Sequence, residues 1–238
     1  MAKKYLISTI SDLHNKHKEW ENNLRYHQWG YNIEEKYDKS DILIFSGDCT
    51  SKGTKREFLD FLQWFSNQPQ LIKIMIGGNH DFILETLSEN DIKDIIPNNI
   101  IYLNDSLYQH DNLKIWGSPI QPYFNNWAFN RKRGNDIKKH WDMIPDDIDI
   151  LIVHGPPRNI LDKISPIFQR YNENINVGCD DLRDAVLNRI KPKLMVFGHI
   201  HESYGNITIN NTTFINASCL NENYRAINKP HFFEIIIE

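Results

Sequence analysis

At 238 residues, with 40% hydrophobic residues, 24% charged residues and a formal charge of −4, the chain suits one globular domain with a real core. That mild acidity argues against broad electrostatic binding to a nucleic-acid duplex or a membrane surface, and no apolar run approaches the length that spans a bilayer. Three widely spaced cysteines, Cys49, Cys179 and Cys219, imply no disulfide framework and point to a reducing, cytoplasmic compartment.

In chain order, short aliphatic or β-branched runs bounded by turn residues predict strands. The first is Tyr5–Ile10, which follows Met1-Ala2-Lys3-Lys4 and is too short for a signal peptide. Residues 15–40 are polar-aromatic and weakly periodic, and read as loop or irregular helix. Ile42–Ser46 predicts the next strand. Thr54, with Glu57 three residues on, predicts a capped helix that carries Phe58, Leu59, Leu62 and Phe65 on one side. Further strands are expected at Ile72–Ile76, Ile100–Leu103, Leu107–His110 and Leu113–Trp116. Residues 117–135 again read as loop or irregular helix. Ile148–Val153 predicts another strand, and Leu182, Val186 and Ile190 predict a helix ending before Pro192, with Asp180 or Asp181 as its cap. Leu194–Phe197, Ile207–Ile209, Thr212–Ile215 and Phe232–Ile237 complete the strands, with Asn210-Asn211 as a hairpin turn. The early βαβ pattern and the later β-rich stretch imply an α/β chain with mixed sheet and helices outside, and leave the number of sheets open.

Five motifs, each just after an apolar run, carry the chemistry. They are Asp12-Leu13-His14, Gly47-Asp48, Gly78-Asn79-His80-Asp81, His154-Gly155-Pro156-Pro157 and Gly198-His199-Ile200-His201. The chain has ten histidines, and His14, His80, His154, His199 and His201 all fall in these motifs. The carboxyl ends of strands are where open α/β sheets place their ligands. Asp12 and His14 are two apart, so on an extended strand end both would point to one side. His199 and His201 share that spacing, with two imidazoles that could each reach a different ion. Asp48 supplies a carboxylate able to bridge two cations, Asn79 a hard amide oxygen and His154 a further imidazole. Such a mixed set favours Mn²⁺, Zn²⁺, Fe or Co²⁺ over Mg²⁺ or Ca²⁺.

The order and spacing of these motifs resemble the calcineurin-like metallophosphoesterase superfamily. Gly117-Ser118-Pro119, Phe124-Asn125-Asn126-Trp127-Ala128-Phe129, Val177-Gly178-Cys179, Lys191-Pro192-Lys193-Leu194 and Ile215-Asn216-Ala217-Ser218 extend the resemblance to its metallophosphoesterase-domain-containing branch, from Ile7 to about Phe233. The resemblance implies a four-layer αββα sandwich of two mixed sheets. It implies two divalent ions, Mn²⁺ foremost, one held by Asp12, His14, Asp48 and His201. The other would be held by Asp48, Asn79, His154 and His199, with His80 as the catalytic histidine. The branch is associated with cyclic-nucleotide phosphodiesterase activity.

One position departs from the pattern. Phosphatases of the superfamily carry an Asp three residues after the bridging one, and here that residue is Ser51, which leaves the partner of His80 unassigned. The expected reaction is hydrolysis of a small phosphodiester or nucleotide, 2′,3′- or 3′,5′-cyclic. A phosphomonoesterase, a protein phosphatase, a nuclease and a non-catalytic scaffold are the alternatives. Tyr123, Phe124 and Trp127 are candidates to stack on a base, and Arg131 to touch phosphate. The opposing readings are that these aromatics pack the loop and that Arg131-Lys132-Arg133, like Lys16-His17-Lys18, is a solvated charge run. Cys49 reads as a small buried residue.

Overall fold

Ile42, Ile44, Ile150, Ile152, Leu194 and Val196 lie in one buried cluster, whereas Leu43, Phe45, Leu151, Val153, Met195 and Phe197 lie in another. Alternate residues of the same strands therefore serve two different cores, as the period of two along a strand requires. The computed structural model describes residues 2–165 and 175–238. Lys3–Ile10 (β1), Ile42–Phe45 (β2), Ile72–Met75 (β3), Ile101–Tyr102 (β4) and His231–Ile237 (β13) form one sheet, in the order β13-β1-β2-β3-β4. Ser106–His110 (β5), Leu113–Ser118 (β6), Ile150–Val153 (β9), Leu194–Phe197 (β10), Gly205–Ile209 (β11) and Thr212–Asn216 (β12) form the second, in the order β11-β12-β10-β9-β6-β5. In the first sheet only the β1–β13 pair is antiparallel, and in the second only β11–β12 and β5–β6 are.

The first cluster joins residues of both sheets and fills the space between their inner faces. The second joins outward residues to helix faces, among them Phe58, Phe61 and Phe65 of α3 (Lys55–Ser66) and Ile137 and Trp141 of α6 (Asn135–Asp142). Two mixed sheets flanked by helices make the four layers. Strands buried on both sides read as unbroken apolar runs, which is why they are easy to find.

Every expected strand is present, with ends displaced by no more than two residues, and Asn210 turns the β11–β12 hairpin at φ 54°. Thr54 and Glu57 form the expected capping box on α3. Three expectations need correction. Residues 15–40 contain two regular helices, His17–Arg25 (α1) and Tyr31–Asp38 (α2), whose buried residues are few, Trp20 and Leu24 with His17 in one and Tyr37 in the other. Helices this short expose too little apolar stripe to register as periodic. Residues 117–135 carry a two-stranded ribbon, Gln121–Pro122 (β7) beside Asn130–Arg131 (β8). The helix over Leu182 starts at Asp180 after Cys179, with no side-chain cap, and passes into π-helix at Ala185–Ile190. Asp181 instead accepts a hydrogen bond from Gly134 N at 3.1 Å. Among the described residues, no helix is long and apolar enough to cross a membrane.

Candidate metal centre

β1, β2, β3, β9 and β10 all point their carboxyl ends to one edge of the sandwich, and the five motifs form the loops there. The β1 and β2 loops run side by side: Asp12 N donates to Gly47 O at 2.9 Å and His14 N to Asp48 O at 3.0 Å. Asp12, His14, Asp48 and His199 all have positive φ, 52°, 42°, 59° and 70°. Left-handed backbone in non-glycine residues is costly and gathers at functional sites. The extended geometry expected at Asp12 and His14 is therefore replaced by a left-handed turn, which still brings His14 Nε2 within 3.9 Å of Asp12 Oδ1. Two glycines permit the crowding. A Cβ on Gly78 would strike the Asp48 carboxylate, and one on Gly198 would strike Asp12 Oδ2 and Ser11 Oγ.

Two groups of donors result, Asp12, His14 and His201 on one side and Asp48, His154 and His199 on the other, each able to hold a metal with its atoms within 4.8 Å of one another. His199 and His201 thus fall on different sides. His201 Nε2 lies 3.4 Å from Asp12 Oδ1, and His154 Nε2 lies 3.4 Å from Asp48 Oδ2 and 2.9 Å from Asn79 Oδ1. His14 Nε2 lies 3.7 Å from Asp48 Oδ2, which links the groups. His14, Asp48 and His80 make a third combination within the same reach.

Backbone carbonyls fix the imidazoles. His154 Nδ1 donates to Ser46 O at 2.9 Å and His201 Nδ1 to Asn221 O at 3.0 Å, so the neutral forms turn an Nε2 lone pair inward. His199 N and Ser218 Oγ in turn donate to Asp12. Converging lone pairs of imidazole, carboxylate and amide are the donor set of a divalent transition metal, so the residues fit such an ion.

Burial opposes charge on the Asp48 and Asp12 carboxylates, but the surrounding imidazoles outweigh it and hold both below the usual range. Burial pushes His14 down to about 4 and, with His154 beside it, His199 down to about 3, so both are neutral and ready to donate a lone pair. Burial also opposes the charged form of His154, yet Asp48 raises it to about 9, and Asp12 raises His201 in the same way. Protons thus occupy, in the metal-free protein, positions that suit a cation.

His80 Nδ1 lies 2.8 Å from the carbonyl oxygen of Ser51, which takes the place of the missing carboxylate. Its ring lies against Trp127, with centroids 4.2 Å apart and planes at 36°. Sequence reasoning gave no role to Asp81, which is fully buried under the site. Its Oδ2 accepts from Gly78 N at 2.9 Å, Asp48 N at 2.9 Å and Cys49 N at 3.3 Å, and its Oδ1 from Thr50 N at 2.9 Å and Thr50 Oγ1 at 2.8 Å. The Cys49 thiol, buried as expected, also donates to it. The signal available was position: Asp81 follows His80 directly.

The centre opens into a cavity of about 900 Å³ walled by Tyr123, Phe124 and Trp127, with Tyr224, Arg133 and Arg158 also in its lining. Phe124 meets His199 edge-on at 5.2 Å between centroids. Arg131 departs from expectation. It lies outside this lining, 3.6 Å from Glu85 and donating to Asn130 O at 2.8 Å. Arg133 is exposed, as a solvated charge run implies, but its guanidinium is also held, donating to Gly178 O at 2.7 Å and Val177 O at 2.6 Å. Lys16 donates to Tyr224 O, and His17 is buried beside Asp60.

A two-sheet sandwich that brings imidazoles, carboxylates and an amide to the carboxyl ends of its strands defines a metallophosphoesterase-type fold and site. The chain belongs to the calcineurin-like phosphoesterase family, whose model matches residues 6–203. It is 37% identical over 211 residues to the human metallophosphoesterase domain-containing protein 1, covering 80% of this chain and 63% of that protein. It is 34% identical over 213 residues to the UPF0046 protein C25E10.12 of Caenorhabditis elegans, covering 82% and 73%. The chain therefore spans a little under two thirds of the length of the human relative. The solved structure of TT1561 from Thermus thermophilus has the same fold, with a TM-score of 0.57 at 12% identity, covering 90% of this chain and 89% of that one.

Proposed function

We propose that the chain is a dinuclear metal-dependent phosphodiesterase acting on small diesters, cyclic nucleotides foremost, with nucleoside monophosphates as products. The observation that carries this reading is the pair of donor groups joined through Asp48 beside an aromatic wall. Asp12, His14, Asp48 and His201 would hold one ion, and Asp48, Asn79, His154 and His199 the other. Mn²⁺ is the proposed metal, with Zn²⁺, Fe or Co²⁺ also suited to the donors. When bound, such a pair supplies Lewis acidity and lowers the pKa of a water.

The chain's own residues do the rest. His80, its Nδ1–H committed to Ser51 O, presents Nε2 to the cavity, and in the protonated form gives that proton to the leaving alkoxide oxygen. In a cyclic diester that oxygen stays tethered to the product. Phe124 and Trp127 offer faces to a base, so binding energy away from phosphorus would position the reacting bond. The missing carboxylate at Ser51 and the aromatic wall favour a diester with a base over a phosphorylated protein. Three buried free cysteines fit a reducing, cytoplasmic compartment.

The test is turnover by protein loaded with each metal across p-nitrophenyl phosphate, bis-p-nitrophenyl phosphate and the 2′,3′- and 3′,5′-cyclic nucleotides. Diesters should be hydrolysed faster than the monoester. A monoester preference with every metal would overturn the assignment.

A further inference from the structure

Two arginines line the cavity, and they are held very differently. The guanidinium of Arg133 is spent on Gly178 O and Val177 O and lies 3.8 Å from Asp180. Arg158 is partly buried in the same lining, yet among the described residues its side chain has no hydrogen bond and no ion pair. Glu202, a carboxylate in the same lining, accepts from Ser165 N at 3.1 Å and makes no ion pair with Arg158 among the described residues. The backbone around Arg158 is fixed. Arg158 N donates to Cys179 O at 3.0 Å, Cys179 N donates to Pro156 O at 3.0 Å, and Gly178 sits so close to Pro157 that a Cβ there would meet the Pro157 carbonyl at 2.5 Å. A partly buried guanidinium on a rigid turn, with no side-chain partner among the described residues, is a planar two-pronged donor set suited to an anion. The cavity has room for one. At about 900 Å³ it lies at the upper end of the roughly 300–1,000 Å³ usual for small-molecule sites, more than one compact diester at the ligand cluster needs.

We propose that Arg158 selects substrates carrying a second phosphate, distinct from the one hydrolysed, by bidentate contact with it. The inference rests on the cavity being the substrate site. It narrows the substrate class to nucleotides with an additional phosphate, such as a diester bearing a terminal monophosphate.

Binding tests it independently of turnover. Adenosine 3′,5′-bisphosphate and adenosine 5′-monophosphate would be titrated into Mn²⁺-loaded wild-type, Arg158→Ala and Arg158→Lys proteins by calorimetry, with near-ultraviolet circular dichroism checking the fold. The wild type should bind the bisphosphate about tenfold more tightly, the preference should vanish in Arg158→Ala, and Arg158→Lys should keep part of it. Equal affinity for both ligands in the wild type, or a preference that survives in folded Arg158→Ala, would overturn the proposal. Wild-type turnover of bis-p-nitrophenyl phosphate is read alongside. A bisphosphate preference lost with Arg158, in a protein that hydrolyses no diester, would leave the anion site standing and remove the diesterase reading.

Discussion

His80 is oriented by the main chain of Ser51, through an Nδ1–H that donates to the carbonyl oxygen at 2.8 Å. A carbonyl oxygen only accepts, so the contact fixes the tautomer and leaves Nε2 for the cavity. Being a backbone carbonyl and not a carboxylate, this partner adds no charge to the imidazole. Trp127 supports the ring on its face, and His14 meets it edge-on with centroids 4.6 Å apart.

That arrangement separates the effects of two substitutions. His80→Ala should lower kcat on a diester by about 10²–10⁴ while the ions per chain stay as in wild type. Ser51→Ala keeps the carbonyl and should change kcat less than about twofold. Because His80 also lies within ligand reach of His14 and Asp48, the metal count decides its role. Loss of an ion in His80→Ala would make it a ligand.

Asp81 is expected to matter through the loops that carry the proposed ligands. Its two oxygens accept the amides of Gly78, Asp48, Cys49 and Thr50, so it ties the β2 and β3 loops together. Asp81→Asn would turn an NH₂ group toward N–H donors, leaving buried groups unpaired at about 1–3 kcal/mol each. Urea unfolding of the metal-free variant should show the loss of stability, and metal loading at equal free Mn²⁺ should fall with it. Wild-type stability with wild-type loading would show that the loops hold without it.

How far the sequence spoke depends on the kind of signal each feature leaves. Strands buried on both faces, such as Ile150–Val153 and Leu194–Phe197, are continuous apolar runs and stood out. The motifs stood out because Asp, His and Gly followed those runs directly. What brings Asp12, His14, Asp48 and His199 together is left-handed backbone, and although Asp and His are enriched in that conformation, residue type alone does not mark which of them adopt it. Asp81 and the Ser51 carbonyl act through hydrogen bonds to or from the main chain, which composition does not reveal. Arg131 and Arg133 were one charge run in the sequence. The ribbon sends the first to Glu85 and the second to the Gly178 carbonyl.

The shifted histidines should give the metal-free protein a stability maximum. His14 and His199 have folded-state values of about 4 and 3, below the ordinary 6.5, so their contribution is complete above pH 6.5 and is lost as pH falls toward those values. His154 is raised to about 9, so its contribution is complete below pH 6.5 and is lost as pH rises through 9. Melting temperature measured in chelator should therefore peak near pH 6.5 and fall on both sides. Metal must displace the His154 proton, so apparent Mn²⁺ affinity should climb by up to about tenfold per pH unit from 7 to 9. A pH-independent affinity over that range would show that His154 is not a ligand.

The aromatic wall is expected to divide its labour between supporting His80 and recognising a base. Trp127 lies on His80 at 4.2 Å, with Phe82 and Phe124 at 5.9 and 6.3 Å, so its removal should loosen the His80 ring, the proposed catalytic group, whatever the substrate. Phe124 is 37% exposed and meets His199 only by an edge, which leaves it freer to take a base. Trp127→Ala should therefore reduce kcat on bis-p-nitrophenyl phosphate and on cyclic nucleotides alike. Phe124→Ala should raise KM for cyclic nucleotides by about fivefold to a hundredfold, the equivalent of about 1–3 kcal/mol of stacking, with a smaller effect on the aryl diester. Steady-state kinetics of both variants on both substrates gives the comparison. Were Phe124→Ala to weaken both equally, the residue would be serving His199 and the base would bind elsewhere in the cavity.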